Sequence, residues 1–334
     1  MTPVTSDVSP ARQTDPFRLR AALIANLVLQ GTIIVSGGLV RLTGSGLGCP
    51  TWPECTPGSF TPVAKQAEGW HVYVEFGNRL MTFVLTAAAV WVVVAAHRHG
   101  RAVGGPESRR FRTWAWVPLA GIFGQAVVGG VIVLTKLDPR TVSPHFLLSV
   151  ALVAYSAWLL AYYDKGCHPS RAVTSTLMRR LVVVVVSSFV LVVVLGTAVT
   201  GSGPHSGDAV ENVRFGFDPL LTSRLHALSV WVFTAGALAL VLISRRESRD
   251  SDRPGECPQE VPRWWTLTLL LVLCEGAVGY LQYFTGLPVV LVAFHMGLSA
   301  VLTAVVTFAV MAGRAPAAES VAVEVCDQSR ARSV

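Results

Sequence analysis

The feature that most constrains this chain is a series of eight apolar runs, each long enough to cross a bilayer as a helix. They cover residues 19–41, 71–96, 112–135, 142–163, 178–200, 221–243, 264–285 and 289–312. About 20 helical residues span roughly 30 Å of hydrocarbon, and inside lipid every backbone N–H and C=O must find its partner within the protein. Barrel strands also meet that demand, but they alternate apolar with polar side chains, whereas these runs are continuously apolar. The expected fold class is an all-α integral membrane protein with eight transmembrane helices. Composition agrees: only 14% of the 334 residues are charged, against about 25% in soluble domains.

The loops orient the spans. Those after spans two, four and six carry Arg98, Arg101, Arg109, Arg110 and Arg112, then Lys165, Arg171, Arg179 and Arg180, then Arg245, Arg246, Arg249, Arg253 and Arg263. The alternate loops hold few basic residues, namely Lys65, Lys136, Arg140 and Arg214. The positive-inside rule therefore places both termini in the cytoplasm of a multi-pass cell-membrane protein, and Arg18 and Arg20 before span one agree. The net charge of +7 reports this topology, so lipid is the expected partner and nucleic acid is not. The first sixteen residues are polar and the run after them is too long for a signal-peptide core, so no cleavable signal is expected.

No CxxC occurs among the six cysteines, which argues against iron–sulfur and structural zinc frameworks. Cys49 and Cys55 share one Gly/Pro-rich outer loop, residues 42–63, at C-x5-C spacing. An oxidising compartment permits a disulfide there, either as a staple for the loop or as a redox-active pair. Cys167, Cys257 and Cys326 read as inert cytoplasmic thiols, and Cys274 as a small core residue of span seven.

The chain repeats itself. GQAVVGGVIVLTKLDPRTVSPHFLLS at 124–149 resembles EGAVGYLQYFTGLPVVLVAFHMGLS at 275–299, and VRLTGSG at 40–46 mirrors AVTGSG at 198–203. Glu75-x-x-Asn78 in span two corresponds to Ser223-x-x-His226 in span six. Asn78 and His226 are 148 residues apart, and His145 and His295 are 150 apart. Four helices per half give a parallel repeat with its pseudo-twofold along the membrane normal. The expected organisation is a tail over 1–17, an N-terminal four-helix bundle over 18–165, a linker over 166–180, a C-terminal bundle over 181–312, and an aperiodic tail over 313–334.

Ionisable groups inside a span cost about 2.5–3.5 kcal/mol on insertion scales, which makes each a functional candidate. Glu75, His145, His226 and His295 share a depth of roughly 5–10 Å below the outer surface, at 1.5 Å of rise per residue. Paired neutral imidazoles from two helices at one depth suit a bis-His haem in an apolar bundle. His226 and His295 form such a pair. In the first half His145 remains, while Asn78 stands where its partner would be, and an amide is a poor iron ligand. Glu75 lies one turn before Asn78 on the same face, placed to act as general acid or base or to pair with Arg79. Arg41, Arg79 and Arg224 near the outer span ends can either snorkel to the interface or pair with haem propionates.

Several of these strings are similar to those of the haem A synthase family: GGLVRLTGSGLGCPTWPEC at 37–55, EFGNRL at 75–80, GQAVVGGVIVLTKLDP at 124–139, GTAVTGSGPHSGD at 196–208, and QYFTGLP with FHMGLS within 282–299. The resemblance runs from about residue 20 to 312. It implies two pseudosymmetric bundles and a membrane oxidoreductase that oxidises the C8 methyl of haem O to a formyl group, giving haem A for cytochrome c oxidase. It implies that His226 and His295 ligate a haem b cofactor, that His145 serves the substrate haem O together with the Asn78 position, that Glu75 is the catalytic carboxylate, and that Cys49 and Cys55 form the outer-loop cysteine pair. Partners implied are haem O synthase and cytochrome c oxidase assembly factors, with a homo-oligomer left open. The chain departs from the family pattern where Glu-x-x-His is replaced by Glu75-x-x-Asn78, and its 201–219 loop lacks the second cysteine pair of some members. The reading in another class is a haem-b electron-transfer protein that modifies no haem, for which a missing fourth histidine is a poor fit. A transporter would want more polar residues near the midplane.

Overall fold

The computed structural model describes residues 16–64, 66–168, 170–205, 207, 213–250 and 258–316. Most of both tails, Lys65, Arg253, Cys257 and Cys326 lie outside the described residues. The helices are α1 (Pro16–Leu42), α2 (His71–Val103), α3 (Gly105–Trp114), α4 (Val117–Leu134), α5 (Pro139–Asp164), α6 (Thr176–Ser202), α7 (Pro219–Asp250), α8 (Glu260–Phe284) and α9 (Val289–Ala312). Among the described residues eight helical segments are long and apolar enough to cross a membrane, with α3 and α4 forming one of them. The molecule is an all-α integral membrane protein.

The helix ends differ from the apolar runs in an instructive way. α2 continues to Val103, well past the apolar run that ends near residue 96, because helical hydrogen bonding does not stop where hydrocarbon stops. Arg98 and Arg101 reach water from that extra turn. The third span begins as the polar helix α3, breaks at Ala115 and Trp116, and resumes with Pro118 in the first turn of α4. The segment expected to open the aperiodic C-terminal tail instead begins with a short strand. β2 (Arg314–Pro316) pairs antiparallel with β1 (Ser170–Ala172), Ser170 facing Pro316, so the linker between the halves is clasped to the end of α9.

Packing follows the halves. Met178, Phe189, Phe233, Leu240, Trp265 and Val306 make the core among α6 to α9, while Leu19, Leu23, Val92, Phe111 and Leu159 make one around α1, α2, α3 and α5. The halves meet where α1 and α5 contact α9. Small residues permit that approach: a Cβ at Gly38 would lie 2.7 Å from Sδ of Met296, and one at Gly297 would lie 3.3 Å from Val35. Within the first half Asn26 Nδ2 donates to Ser156 Oγ at 3.0 Å, joining α1 to α5 where no water competes. Outward-facing Phe83, Val183, Leu228 and Leu270 are exposed, as a lipid-facing surface requires.

Irregular backbone between α1 and α2 and between α6 and α7 closes one end. Arg41, at the last turn of α1, donates from Nε to the His205 carbonyl and from Nη2 to the Thr200 carbonyl, both at 2.8 Å. Gly46 N–H reaches the Gly207 carbonyl at 2.8 Å, and His205 Nε2 lies 3.1 Å from the Leu287 carbonyl. The same end starts two histidine-bearing helices with aspartate caps. Asp138 Oδ1 accepts from Arg140 N–H at 2.9 Å at the head of α5, and Asp218 Oδ1 accepts from Leu220 N–H at 2.7 Å at the head of α7. Hydrogen bonds from Arg140 hold the Asp138 carboxyl below the usual carboxylate range.

Candidate functional site

His145, His226 and His295 each sit six or seven residues into a helix that starts at the closed end, which at 1.5 Å per residue is about 10 Å deep. Glu75 and Asn78 occupy the first two turns of α2. The repeat thus delivers its side chains to one level in both halves.

In the second half His226 is oriented by a hydrogen bond at Nδ1, and His295 Nδ1 faces a carboxylate. His226 Nδ1 is 3.1 Å from the Val192 carbonyl of α6. His295 Nδ1 is 3.3 Å from Oε2 of Glu275 on α8, an approach of ion-pair length rather than a closed hydrogen bond. With Nδ1 of each ring turned toward an oxygen, Nε2 is the nitrogen left to bind a metal, the usual arrangement for ligating histidines. Each ring is faced by a glycine from the neighbouring helix: a Cβ on Gly196 would come within 3.4 Å of His226 Cε1, and one on Gly279 within 3.5 Å of His295 Cε1. A flat macrocycle needs such bare helix surface beside its ligands.

The first half keeps the frame and changes the chemistry. Gly129 faces His145 Cε1 at 3.8 Å and Gly37 faces Asn78 Oδ1 at 3.9 Å, again measured from an added Cβ. Asn78 Oδ1 accepts from Ser36 Oγ at 2.7 Å. His145 Nδ1 is buried and has no hydrogen-bond partner among the described residues. Glu75, its side chain only 7% exposed, accepts at Oε2 from Cys49 N–H at 2.6 Å and at Oε1 from Arg79 Nη2 at 2.7 Å. Arg79 also donates to the carbonyls of Cys49 at 3.0 Å, Thr51 at 3.1 Å and Glu54 at 3.1 Å. The pair therefore pins the 49–55 loop onto α2. The sulfur atoms of Cys49 and Cys55 are 2.10 Å apart and fully buried. From the same loop Trp52 lies on α4, where a Cβ at Gly130 would come within 2.5 Å of its indole. Gly130 adjoins the glycine that faces His145, so the loop roofs the first-half site.

The three arginines separate. Arg41 donates to the carbonyls of His205 and of Thr200 at the end of α6, and Arg79 to Glu75 and to loop carbonyls, whereas Arg224 is exposed and has no partner among the described residues. Sequence reasoning missed Glu275, although a carboxylate inside an apolar run is itself the signal. It also passed over Gln125, which stands 150 residues earlier, at the same offset as His145 and His295. Gln125 Nε2 donates to the His145 carbonyl at 3.0 Å and to Ser149 Oγ at 2.5 Å.

Among the described residues no group of three or more His, Cys, Asp or Glu could hold a bare metal ion. A haem iron brings four pyrrole nitrogens of its own and requires only two from the protein. The oriented pair His226 and His295, with glycine opposite each ring, fits that requirement; the first half offers one imidazole and an amide.

Comparison with known proteins places this arrangement. The profile of the family described as cytochrome oxidase assembly protein matches residues 20–210, which covers the first half and α6 but ends before His226. Over 144 residues the chain is 29% identical to a haem A synthase of Lysinibacillus sphaericus, covering 43% of this chain and 44% of that protein. It is 25% identical over 158 residues to one of Geobacillus thermodenitrificans, covering 47% and 46%. The chain therefore spans under half the length of these two relatives. The match to a haem A synthase of Bacillus cereus is longer, 24% identical over 301 residues, covering 84% of this chain and 88% of that protein.

Proposed function

The chain belongs to the cytochrome oxidase assembly protein family, and from that premise we propose that it is a haem A synthase, a membrane oxidoreductase that converts the C8 methyl of haem O to the formyl group of haem A. The observation that carries the reading is the second-half pair, in which His226 and His295 turn Nδ1 away to Val192 and Glu275. These two imidazoles would hold a haem b through Nε2. The haem supplies redox chemistry that amino-acid side chains lack.

The first half takes the substrate. His145 binds haem O from one side, and Asn78, an amide tied to Ser36, leaves the other side without a strong ligand, so that the substrate is held less firmly than the cofactor. Methyl-to-formyl conversion takes four electrons from the carbon, breaks two C–H bonds and adds one oxygen atom, so it consumes an external oxidant that accepts those electrons. Glu75 is the carboxylate beside this site, and its role is to receive protons from the reacting carbon's oxygen and pass them on. Its bonds to Cys49 N–H and Arg79 fix its position, and the roof formed by Trp52 keeps bulk water from the site. Cys49 and Cys55 form a disulfide that braces the roof. Arg224, with donors unspent, suits a propionate; Arg41 and Arg79 could serve one only by releasing loop carbonyls. The protein lies in the cell membrane with both termini cytoplasmic, receives haem O from a haem O synthase, and delivers haem A toward cytochrome c oxidase assembly.

The pigments extracted from purified protein test the reading. Haem B together with haem O or haem A is expected. Haem B alone, at two equivalents per chain, overturns it in favour of an electron carrier that modifies no haem.

A further inference from the structure

The two halves place different groups at one repeat position on the helix beside the ligand-bearing helix. Gln125 and Glu275 are 150 residues apart, as are Gly129 and Gly279, His145 and His295, and Ser149 and Ser299. The surroundings are thus matched and one atom differs in kind, an amide nitrogen against a carboxylate oxygen. In the first half the amide nitrogen turns to the His145 carbonyl and Ser149 Oγ, and His145 Nδ1 is left without a partner among the described residues. In the second half the carboxylate oxygen Oε2 stands 3.3 Å from His295 Nδ1. Glu275 is buried, 8% exposed; among the described residues neither Oε2 nor His295 Nδ1 closes a hydrogen bond, and their 3.3 Å approach is of ion-pair length, a contact that His145 Nδ1 lacks. A buried carboxylate in an apolar span is costly, and this one faces a single polar atom.

We propose that Glu275 is a positioning residue for the second-half haem: it fixes the His295 ring with Nε2 toward the iron and strengthens that nitrogen as a donor, so that the second half holds a lower-potential haem than a neutral partner would allow. The inference rests on the reading of His226 and His295 as haem ligands. A carboxylate accepting from the distal nitrogen raises the basicity of an imidazole ligand, and second-shell hydrogen bonding is one of the protein's levers on haem potential. A stronger anionic donor favours ferric over ferrous iron. Gln125 gives the first half no such bias, which sets a difference in potential between the two sites by one atom.

The test is a potentiometric titration of the low-spin haem in the purified full-length protein and in Glu275→Gln and Glu275→Asp. Glu275→Gln writes the first half's own residue into the second half. It is expected to retain the low-spin spectrum and to raise the midpoint potential by the equivalent of about a tenfold change in the ferric-to-ferrous preference, about 59 mV for a one-electron couple. Glu275→Asp keeps the charge and is expected to stay near the wild-type value. A Glu275→Gln potential equal to wild type, or an aspartate variant that shifts as far as the glutamine one, overturns the proposal. Should Glu275→Gln fail to accumulate, the near-infrared charge-transfer band of the wild-type ferric haem decides by itself: displacement toward the imidazolate position supports the assignment, and a neutral bis-imidazole position overturns it. Wild-type protein without any bis-imidazole haem removes the functional reading itself, an outcome distinct from haem present at an unresponsive potential.

Discussion

The two halves of this molecule place their polar side chains at one depth on one scaffold, yet they are equipped for opposite tasks. In the second half, both ligand candidates are imidazoles, each steered from behind, His226 by the Val192 carbonyl and His295 by Glu275. In the first half one imidazole remains, its Nδ1 without a hydrogen-bond or ion-pair partner among the described residues, and Asn78 is bonded to Ser36. The polar investment goes instead to the roof, where Glu75 and Arg79 gather the 49–55 loop. On the proposed reading, altering a few side chains divides a duplicated bundle into a site that retains haem and a site that exchanges it, with the helix frame and its facing glycines left alone.

The largest effect expected from disturbing this contrast is at the iron. His226→Ala or His295→Ala is expected to abolish the low-spin haem b absorption of the purified protein, while His145→Ala leaves it intact; equal losses from all three would erase the distinction between the halves. Next is Glu75→Gln. Haem A formed per haem b is expected to fall about a hundredfold or more, the low end of general acid–base contributions, with haem b content unchanged by pyridine haemochrome assay. Retained turnover would take Glu75 out of the chemistry and leave it a loop anchor.

Asn78→His attacks the comparison from the other side, because it restores to the first half what the second half has. A second low-spin bis-imidazole signal is expected, with release of the first-half haem to an apo-acceptor slowed about tenfold, in the range by which ligand shells shift metal-site affinity. Unaltered spectra and release would mean that His145 and residue 78 do not face one iron. A smaller effect is expected from Gly130→Ala, whose added methyl would meet the Trp52 indole at 2.5 Å. Trp52 must move, and water entry should lower haem A yield several-fold while leaving the second-half spectrum as it was.

The helix caps should respond least. Asp138→Ala and Asp218→Ala remove the side-chain acceptors at the heads of α5 and α7, and each is expected to lower stability slightly in detergent unfolding, with haem ligation retained. The sign of the pH effect at Asp138 follows from Arg140, which holds its carboxyl below the usual range. A depressed folded value means that the stabilisation is full above the unfolded carboxylate pKa, declines as pH falls below it, and is gone once pH has passed the folded one. Stability that is unchanged by acidification relative to Asp138→Ala would contradict that pairing.

Much of this was legible before any coordinates. Lipid imposes a single secondary structure on long apolar runs, so the eight spans follow from hydropathy, and the 148- and 150-residue offsets follow from duplication. The histidines and Glu75 stand out because charge is rare at that depth. What escaped has a common cause: sequence windows average over single polar residues and know nothing of backbone acceptors. Glu275 and Gln125 vanish into strongly apolar helices, and their meaning appears only when each is set beside its histidine. Arg41 and Arg79 are visible as cations, but their targets are carbonyls of irregular loops that no side-chain pattern records. The pairing of Ser170–Ala172 with Arg314–Pro316 joins segments too short and too far apart for local propensity to announce.

Central to the proposed chemistry is a second half that alone forms a complete two-imidazole haem site. Low-temperature electron paramagnetic resonance of purified His145→Ala tests it most directly, since that variant silences the first half's only imidazole in the pair of sites. A single low-spin ferric haem b with bis-imidazole g-values, one per chain, is the predicted result. A high-spin signal, or protein that folds and carries no haem, would contradict it.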